Sequence, residues 1–357
     1  MKLCCISRAD LVPNRYLFWL LLVAPWIATT QAIAGSGQSL STLASDVQRV
    51  FDATKEAVVR VESEDEHGKL AGTGFLVDPV GTIYTAYAVA GESYNITVEF
   101  GSCKYPAERL VADPVSGIAI LKVQALDLKT PWIVLGNSDE VRTALPVVTV
   151  GYPMDLPTTP NFGMVGGLDQ TYQRQVFPTP LIRANVTIQR GEVGSPLLNL
   201  HGEAVGILLF YVDNRTACYA LPIKAAQKVY TDFVRFGGVR RGWVGVSVEN
   251  TEQPQHQSRA LITHVVADSP AAEAGIEPGD VLLQVGDNII RSFEDVAKVS
   301  FFLSAEEKVA IKVCRNGAEM TLDVTPSAPR RVEGFVPYAP GYPASRDSAL
   351  RLKLEDE

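Results

Sequence analysis

The sequence predicts a mainly β protein, with two small barrels in tandem followed by a separate unit of strands and short helices. Three observations carry this. Between Ala57 and Ile223, short runs rich in Val, Ile, Thr and aromatic residues recur between turn signals, as in all-β barrels or sandwiches. That stretch is about 165 residues long, large for one small barrel, so two barrels meeting near residues 135–145 are expected. Gly237-Gly238 then breaks a helical pattern, and new strand and helix signals fill residues 241–326.

The elements follow in chain order. Residues 1–34 read as a secretory address: Lys2, Arg8 and Arg15 precede an apolar run from Leu17 to Ile27, and Ala32-Ile33-Ala34 fits small-residue cleavage. The run falls short of the roughly 20 residues that span a bilayer, and no later run is long enough. An exported chain without a stable membrane span is expected, periplasmic in a Gram-negative cell and otherwise secreted. Residues 35–56 form an N-terminal segment whose helix, over 41–56, carries Leu43, Val47, Val50 and Phe51 on one side. Strands are predicted at 57–62, 73–77, 82–88, 96–100, 117–123, 146–152, 181–188, 204–212 and 218–223. A helix over 224–235 closes the barrel region, taken as 57–236. Beyond Pro326, prolines at 329, 337, 340 and 343 and the loss of apolar periodicity predict a mostly disordered tail over 327–357.

The chain carries a formal net charge of −8. Removing residues 1–34 takes away three Lys/Arg and one Asp, so the charge becomes −8 − 2 = −10. A nucleic-acid partner is therefore not expected, since phosphates need a basic face. Cys4 and Cys5 lie in the address, leaving Cys103, Cys218 and Cys314. They are odd in number and far apart, which fits neither a disulfide framework nor a metal cluster. No metal and no cofactor are expected. Any general base must come from His67, His201, His256 or His264.

Gly72-Thr73-Gly74-Phe75-Leu76-Val77-Asp78 and Gly81-Thr82-Ile83-Tyr84-Thr85 resemble the opening of the HtrA/DegP-type trypsin-like serine proteases. Asp113-Pro114 before Ile118-Ala119-Ile120-Leu121-Lys122-Val123, then Leu135-Gly136-Asn137-Ser138-Asp139 and Val150-Gly151-Tyr152-Pro153, fit the same family in order. So do residues 191–199 (GEVGSPLLN), Gly202-Glu203-Ala204-Val205-Gly206-Ile207 and Ala220-Leu221-Pro222-Ile223. Residues 241–326 resemble the family's PDZ domain, through Gly242-Trp243-Val244-Gly245-Val246, Ser269-Pro270-Ala271, Ala274-Gly275 and Pro278-Gly279-Asp280-Val281-Leu282. The resemblance implies a chymotrypsin-like double β-barrel followed by a PDZ domain.

It also implies a Ser-His-Asp triad, in which a hydroxyl attacks, a His takes its proton and an Asp orients the His. The family's His position here holds Ala88, its Asp position Gly117 and its nucleophile position Val193. None of these side chains donates, accepts or relays a proton. Ser195, two residues beyond Val193, is the remaining candidate nucleophile, but that slot needs a small residue for a tight turn, and smallness alone accounts for it. His67 and His201 precede glycines in loops, and His256 and His264 lie in the PDZ-like unit, so no base is expected beside it. An oxyanion hole is made of backbone, so the amides of Gly191 and Val193 remain candidates for one, although β-branched Val193 and neighbouring Glu192 argue for an altered loop.

The predicted function is a pseudo-protease: an HtrA-like scaffold or regulator binding peptides through its PDZ groove and its protease-like cleft. Trp243, Val244, Gly245 and Val246 are the candidate carboxylate-binding loop, and strand addition beside it would hold peptide or protein C-termini and unfolded segments. Two alternatives are a serine endopeptidase with residual or relocated activity, and a regulatory subunit of an active homologue. The resemblance further implies a homo-oligomer, commonly a trimer, with hetero-oligomers as the alternative.

Overall fold

The computed structural model describes residues 36–124, 130–154, 156–172, 175–212, 216–255, 257–328 and 350–352. The expected address and its cleavage site lie outside the described residues. Helix α1 (Ser36–Thr54) begins five residues before the predicted helix over 41–56 and ends two residues earlier.

The first β unit contains β1 (Val58–Asp65), β2 (Gly68–Leu76), β3 (Thr82–Ala86), the single helical turn α2 (Tyr87–Ala90), β4 (Tyr94–Phe100), β5 (Cys103–Pro106), β6 (Glu108–Asp113) and β7 (Ile118–Lys122). Its hydrogen-bonded order is β5-β4-β1-β2-β3-β7-β6, an open path. The two end strands β5 and β6 follow each other in sequence and are joined at Ala107, whose amide bonds to the Ile96 carbonyl at 2.9 Å. This unit thus closes through the chain and not through a ladder, and Pro106 at the seam has no amide to offer one. Alternation along β1 buries Val59 and Val61, and Phe75, Ile83 and Ile120 of the same unit are likewise fully buried. The strand predicted over 82–88 stops at Ala86, because the Tyr87 amide turns to the Gly117 carbonyl (2.7 Å) and the Gly91 amide caps the turn on Tyr87 (2.6 Å).

The second unit is a closed barrel, in the order β10-β13-β12-β11-β8-β9. Its strands are β8 (Pro146–Gly151), β9 (Thr159–Tyr172), β10 (Gln175–Ala184), β11 (Pro196–Leu198), β12 (Ala204–Val212) and β13 (Ala217–Pro222). Val147, Ile182, Leu197, Leu208 and Ala220 fill it. Each of the Val, Ile and Leu side chains, once buried, is worth roughly 1.5–3 kcal/mol. Cys218 is part of this core, and burial pushes its thiol up to about 12, so it stays protonated. Cys103, Cys218 and Cys314 are all free. Helix α3 (Ile223–Phe236) ends where Gly237 takes a left-handed φ of 74° and its amide bonds to Phe233 (2.8 Å).

The C-terminal unit has an antiparallel sheet in the order β14-β15-β16-β18-β19. It is made of β14 (Val246–Gln255), β15 (Ser258–Val265), α4 (Pro270–Glu273), β16 (Val281–Val285), β17 (Asn288–Ile289), α5 (Phe293–Phe302), β18 (Val309–Arg315) and β19 (Ala318–Val324). The linker before it is pinned. Buried Asp232 accepts from Lys228 Nζ (2.6 Å) and from the Arg240 amide (3.1 Å). Arg241 forks onto Asp113, Nη1 to Oδ1 at 3.0 Å and Nη2 to Oδ2 at 2.5 Å. The sequence predicts no strand beyond Pro326, yet β20 (Leu350–Leu352) pairs with β2.

Candidate functional site

The first candidate site is built on Thr73. Its amide donates to the Val193 carbonyl (2.9 Å) and its hydroxyl to the Gly191 carbonyl (2.7 Å). The same hydroxyl accepts from the Tyr152 amide (3.0 Å), while the Thr73 carbonyl accepts from Thr85 Oγ1 (2.7 Å). One fully buried residue on β2 therefore holds the loop 191–193, strand β3 and the end of β8 together. The loop needs Gly194: its φ is +91°, and a Cβ there would lie 2.1 Å from the Thr73 carbonyl oxygen and 3.0 Å from the Ala86 amide nitrogen.

This brings the three predicted positions together. Val193 sits on β2 through its carbonyl, Ala88 lies in α2 just after Ala86, and Gly117 is bonded to the start of α2 through Tyr87. Val193 is buried, Ala88 is half-buried, and Gly117 has a φ of +79°. The amides of Gly191 and Val193, the candidate oxyanion hole, donate to no other described residue.

The other expectations divide. Ser195 is fully buried at the start of β11, and its Oγ has no hydrogen-bond partner. The hydroxyl fits because position 151 is glycine: a Cβ there would lie 2.3 Å from it. His201 is exposed in the turn before β12, His264 is exposed on β15, and His256 lies outside the described residues. His67 is exposed in the turn between β1 and β2, as its place before a glycine predicts. It lines a cavity of about 320 Å³ together with Leu70, Tyr87, Ala88 and Glu92, a meeting of the β1–β2 turn with α2 that no local pattern announces. Among the described residues no group of His, Cys, Asp or Glu could hold a metal ion.

Glu192 was not singled out as a functional position, yet it is buried. Its Oε2 accepts from the Gln189 amide (2.6 Å) and its Oε1 from Asn161 Nδ2 (2.6 Å). Burial raises its pKa above 4.5, with the two hydrogen bonds working the other way. The folded chain then holds this proton to higher pH than the unfolded chain does. Stability should fall as pH rises from about 4.5 through the raised value. Glu192→Gln should remove that slope, seen as a Tm that gains on the wild type between pH 4 and pH 7; parallel pH profiles would sink this assignment.

The second candidate site is the groove between edge strand β14 and α5. It encloses about 300 Å³ lined by Val244, Val246, Val248, Ile262, Val296 and Leu303. Its mouth is the loop 243–246. Trp243 differs from expectation, because its amide already donates to the Ser327 carbonyl (2.7 Å) and its carbonyl accepts from the Ser327 amide (3.0 Å). Val244 and Gly245 use their carbonyls, for the amides of Ala271 (3.0 Å) and Val266 (2.9 Å), while their own amides donate to no other described residue. Gly245 has a φ of +90°, and a Cβ on it would lie 2.3 Å from Ser269 Cβ. Two such amides at the end of an apolar groove, beside an edge strand, are the geometry that strand addition with capture of a terminal carboxylate requires.

The sequence family of trypsin-like peptidase domains matches residues 72–207, and that of PDZ domains matches residues 242–325. The chain carries a trypsin-like peptidase domain followed by a PDZ domain. A probable periplasmic serine endoprotease DegP-like from Hahella chejuensis is 30% identical over 304 residues, covering 82% of this chain and 64% of that protein. One of the same description from Halomonas elongata is 30% identical over 277 residues, covering 74% of this chain and 58% of that protein. The chain thus spans less than two thirds of the length of these curated relatives. Among solved structures, the HtrA-type protease AlgW with tripeptide superposes with a TM-score of 0.69 at 22% identity, covering 81% of this chain and 99% of that one. The serine endoprotease from Yersinia pestis gives 0.61 at 23% identity, covering 80% and 98%. These two likenesses concern the fold. Among the described residues no helix of either domain is long and apolar enough to cross a membrane.

Proposed function

We propose that this HtrA-type chain is an exported protein that holds peptides without cutting them, using the PDZ groove and the cleft of its peptidase domain. The observation that carries this is the set Ala88, Gly117 and Val193. By the resemblance to the family these are the positions of base, orienting acid and nucleophile, and none of the three side chains can move a proton. Losing the nucleophile or the base alone costs roughly a millionfold in turnover. What remains is suited to binding. The amides of Gly191 and Val193 can receive a peptide carbonyl, and those of Val244 and Gly245 a terminal carboxylate. The solved AlgW structure with a tripeptide supports peptide capture by such an architecture. The relatives' description as periplasmic supports export. Assembly as a homotrimer, or with an active homologue as its regulatory subunit, belongs to the same reading.

The names of the relatives favour a second reading, a serine endopeptidase with residual or relocated activity. Its candidate nucleophile is Ser195, and the histidine that shares a cavity with Ala88 is His67. Against it stands the enclosure of the Ser195 hydroxyl, which no described histidine touches.

Two measurements test the proposal. A fluorophosphonate probe should leave the purified chain unlabelled and casein should stay intact; labelling abolished by Ser195→Ala would establish the second reading instead. A fluorescent peptide with a free apolar C-terminus should bind, and Gly245→Ala should weaken it roughly 10-fold or more, because the new methyl must displace Ser269 from the loop. Undiminished binding in that variant would remove the PDZ half of the reading.

A further inference from the structure

Strand β2 gives one edge wholly to β1, from Gly68 to Phe75. Its other edge is shared among three partners. Gly74–Leu76 pair with β3, and the Thr73 amide takes the Val193 carbonyl at 2.9 Å. Lys69, Leu70 and Ala71 pair antiparallel with Leu352, Arg351 and Leu350 of β20. The tail strand thus reaches to one residue from Gly72, where a Cβ would lie 3.0 Å from the Val193 carbonyl oxygen. Leu70, in the middle of that stretch, lines the cavity it shares with Ala88 and His67.

The sequence supports a strand here independently. Leu350-Arg351-Leu352-Lys353-Leu354 alternates apolar and basic residues, the pattern of a half-buried strand, after a stretch with none. The cavity beside β2 is rimmed by Asp65, Glu66 and Glu92, the opposite sign to Arg351 and Lys353 of that segment. From Ser327, where the PDZ sheet is tied off at Trp243, 22 residues lead to Leu350. Extended, they reach roughly 70 Å, ample for the return.

We propose that the β2 edge at Lys69–Ala71 is a strand-accepting site beside the cleft, that residues 350–352 fill it in cis, and that an extended client segment alternating apolar and basic residues enters by displacing them. A bare edge of this kind invites pairing with any extended chain, and a native occupant suppresses that. A three-residue ladder is short enough to exchange, while its tether keeps it at high effective concentration. The proposal holds whether or not the cleft hydrolyses anything, so it stands apart from the reading above.

The test uses a fluorescein-labelled peptide of residues 346–356, amidated at its C-terminus so that it offers no carboxylate to the PDZ groove. It should bind the chain ending at residue 349 at least roughly 10-fold more tightly than the full chain. Arg351→Pro in the full chain, which removes a strand amide, should have the same effect as truncation. Hydrogen exchange over residues 68–72 should quicken in both variants and slow again when the peptide is added. Binding should persist in Gly245→Ala with the tail removed. Equal affinity for full and truncated chains, unchanged exchange over 68–72, or loss of binding in Gly245→Ala would each overturn the proposal.

Discussion

Ala88→His, Gly117→Asp and Val193→Ser introduced together should make the chain react with a fluorophosphonate and cleave casein at least about a thousandfold faster than the parent. The backbone supports this. Gly117 is bonded to Tyr87, the neighbour of Ala88, while Val193 is bonded to Thr73, whose carbonyl also accepts from Thr85 just before α2. A cavity of about 320 Å³ borders Ala88, which leaves room for an imidazole. The amides of Gly191 and Val193 are free to stabilise a developing oxyanion. The weakest of the three is Gly117→Asp, since φ is +79° there. Asp tolerates that region better than most residues, at a cost of about 1–2 kcal/mol. Gains should appear only in the triple variant, because a nucleophile without its base does little. A folded triple variant that stays unlabelled would mean that the altered loop itself blocks chemistry, and Glu192→Asn with Ser195→Gly would then be the changes that matter.

Gly194→Ala should destabilise the peptidase domain by about 4 kcal/mol or more. Two costs add. A left-handed φ of +91° is strained for alanine, and the new methyl would sit 2.1 Å from the Thr73 carbonyl oxygen and 2.5 Å from Thr85 Oγ1. The first of these is backbone in the middle of β2, so relief requires moving a central strand. The Thr73 amide would then lose Val193, and its hydroxyl would lose Gly191. Thermal unfolding should show a fall in Tm of roughly 8 °C or more, taking 2–4 °C per kcal/mol for a domain of this size. Gly238→Ala is the control, because a Cβ there meets nothing within 4 Å. Equal Tm changes in the two variants would show that the loop is not clamped as described.

Much of the fold was legible because its signals are local. Turn residues and β-rich runs placed most of the strands, and Gly237 marked the end of α3 because only a residue at ease with φ of 74° ends a helix this way. The strands β5, β6 and β11, and the long β9 with its Gly163, Gly166 and Gly167, were missed because their sequences lack a β-rich run. The candidate site was legible as a set of positions through its motifs, but not in its detail. Asp113 reads locally as a turn residue, and it does accept from the Ser116 amide (3.0 Å). Its second role, holding Arg241 and with it the linker, joins residues 128 apart and leaves no trace in spacing.

The shortage of histidines and the identities of Ala88, Gly117 and Val193 were determined by the sequence alone, since folding cannot add a functional group that a side chain lacks. Tertiary structure decided which backbone groups are free. Trp243 spends its amide on Ser327, Ser195 loses its access to the barrel wall, and residues 350–352 find the edge of β2. Those outcomes depend on which distant segments compete for the same hydrogen bonds, and such competition is settled only when the strands pack.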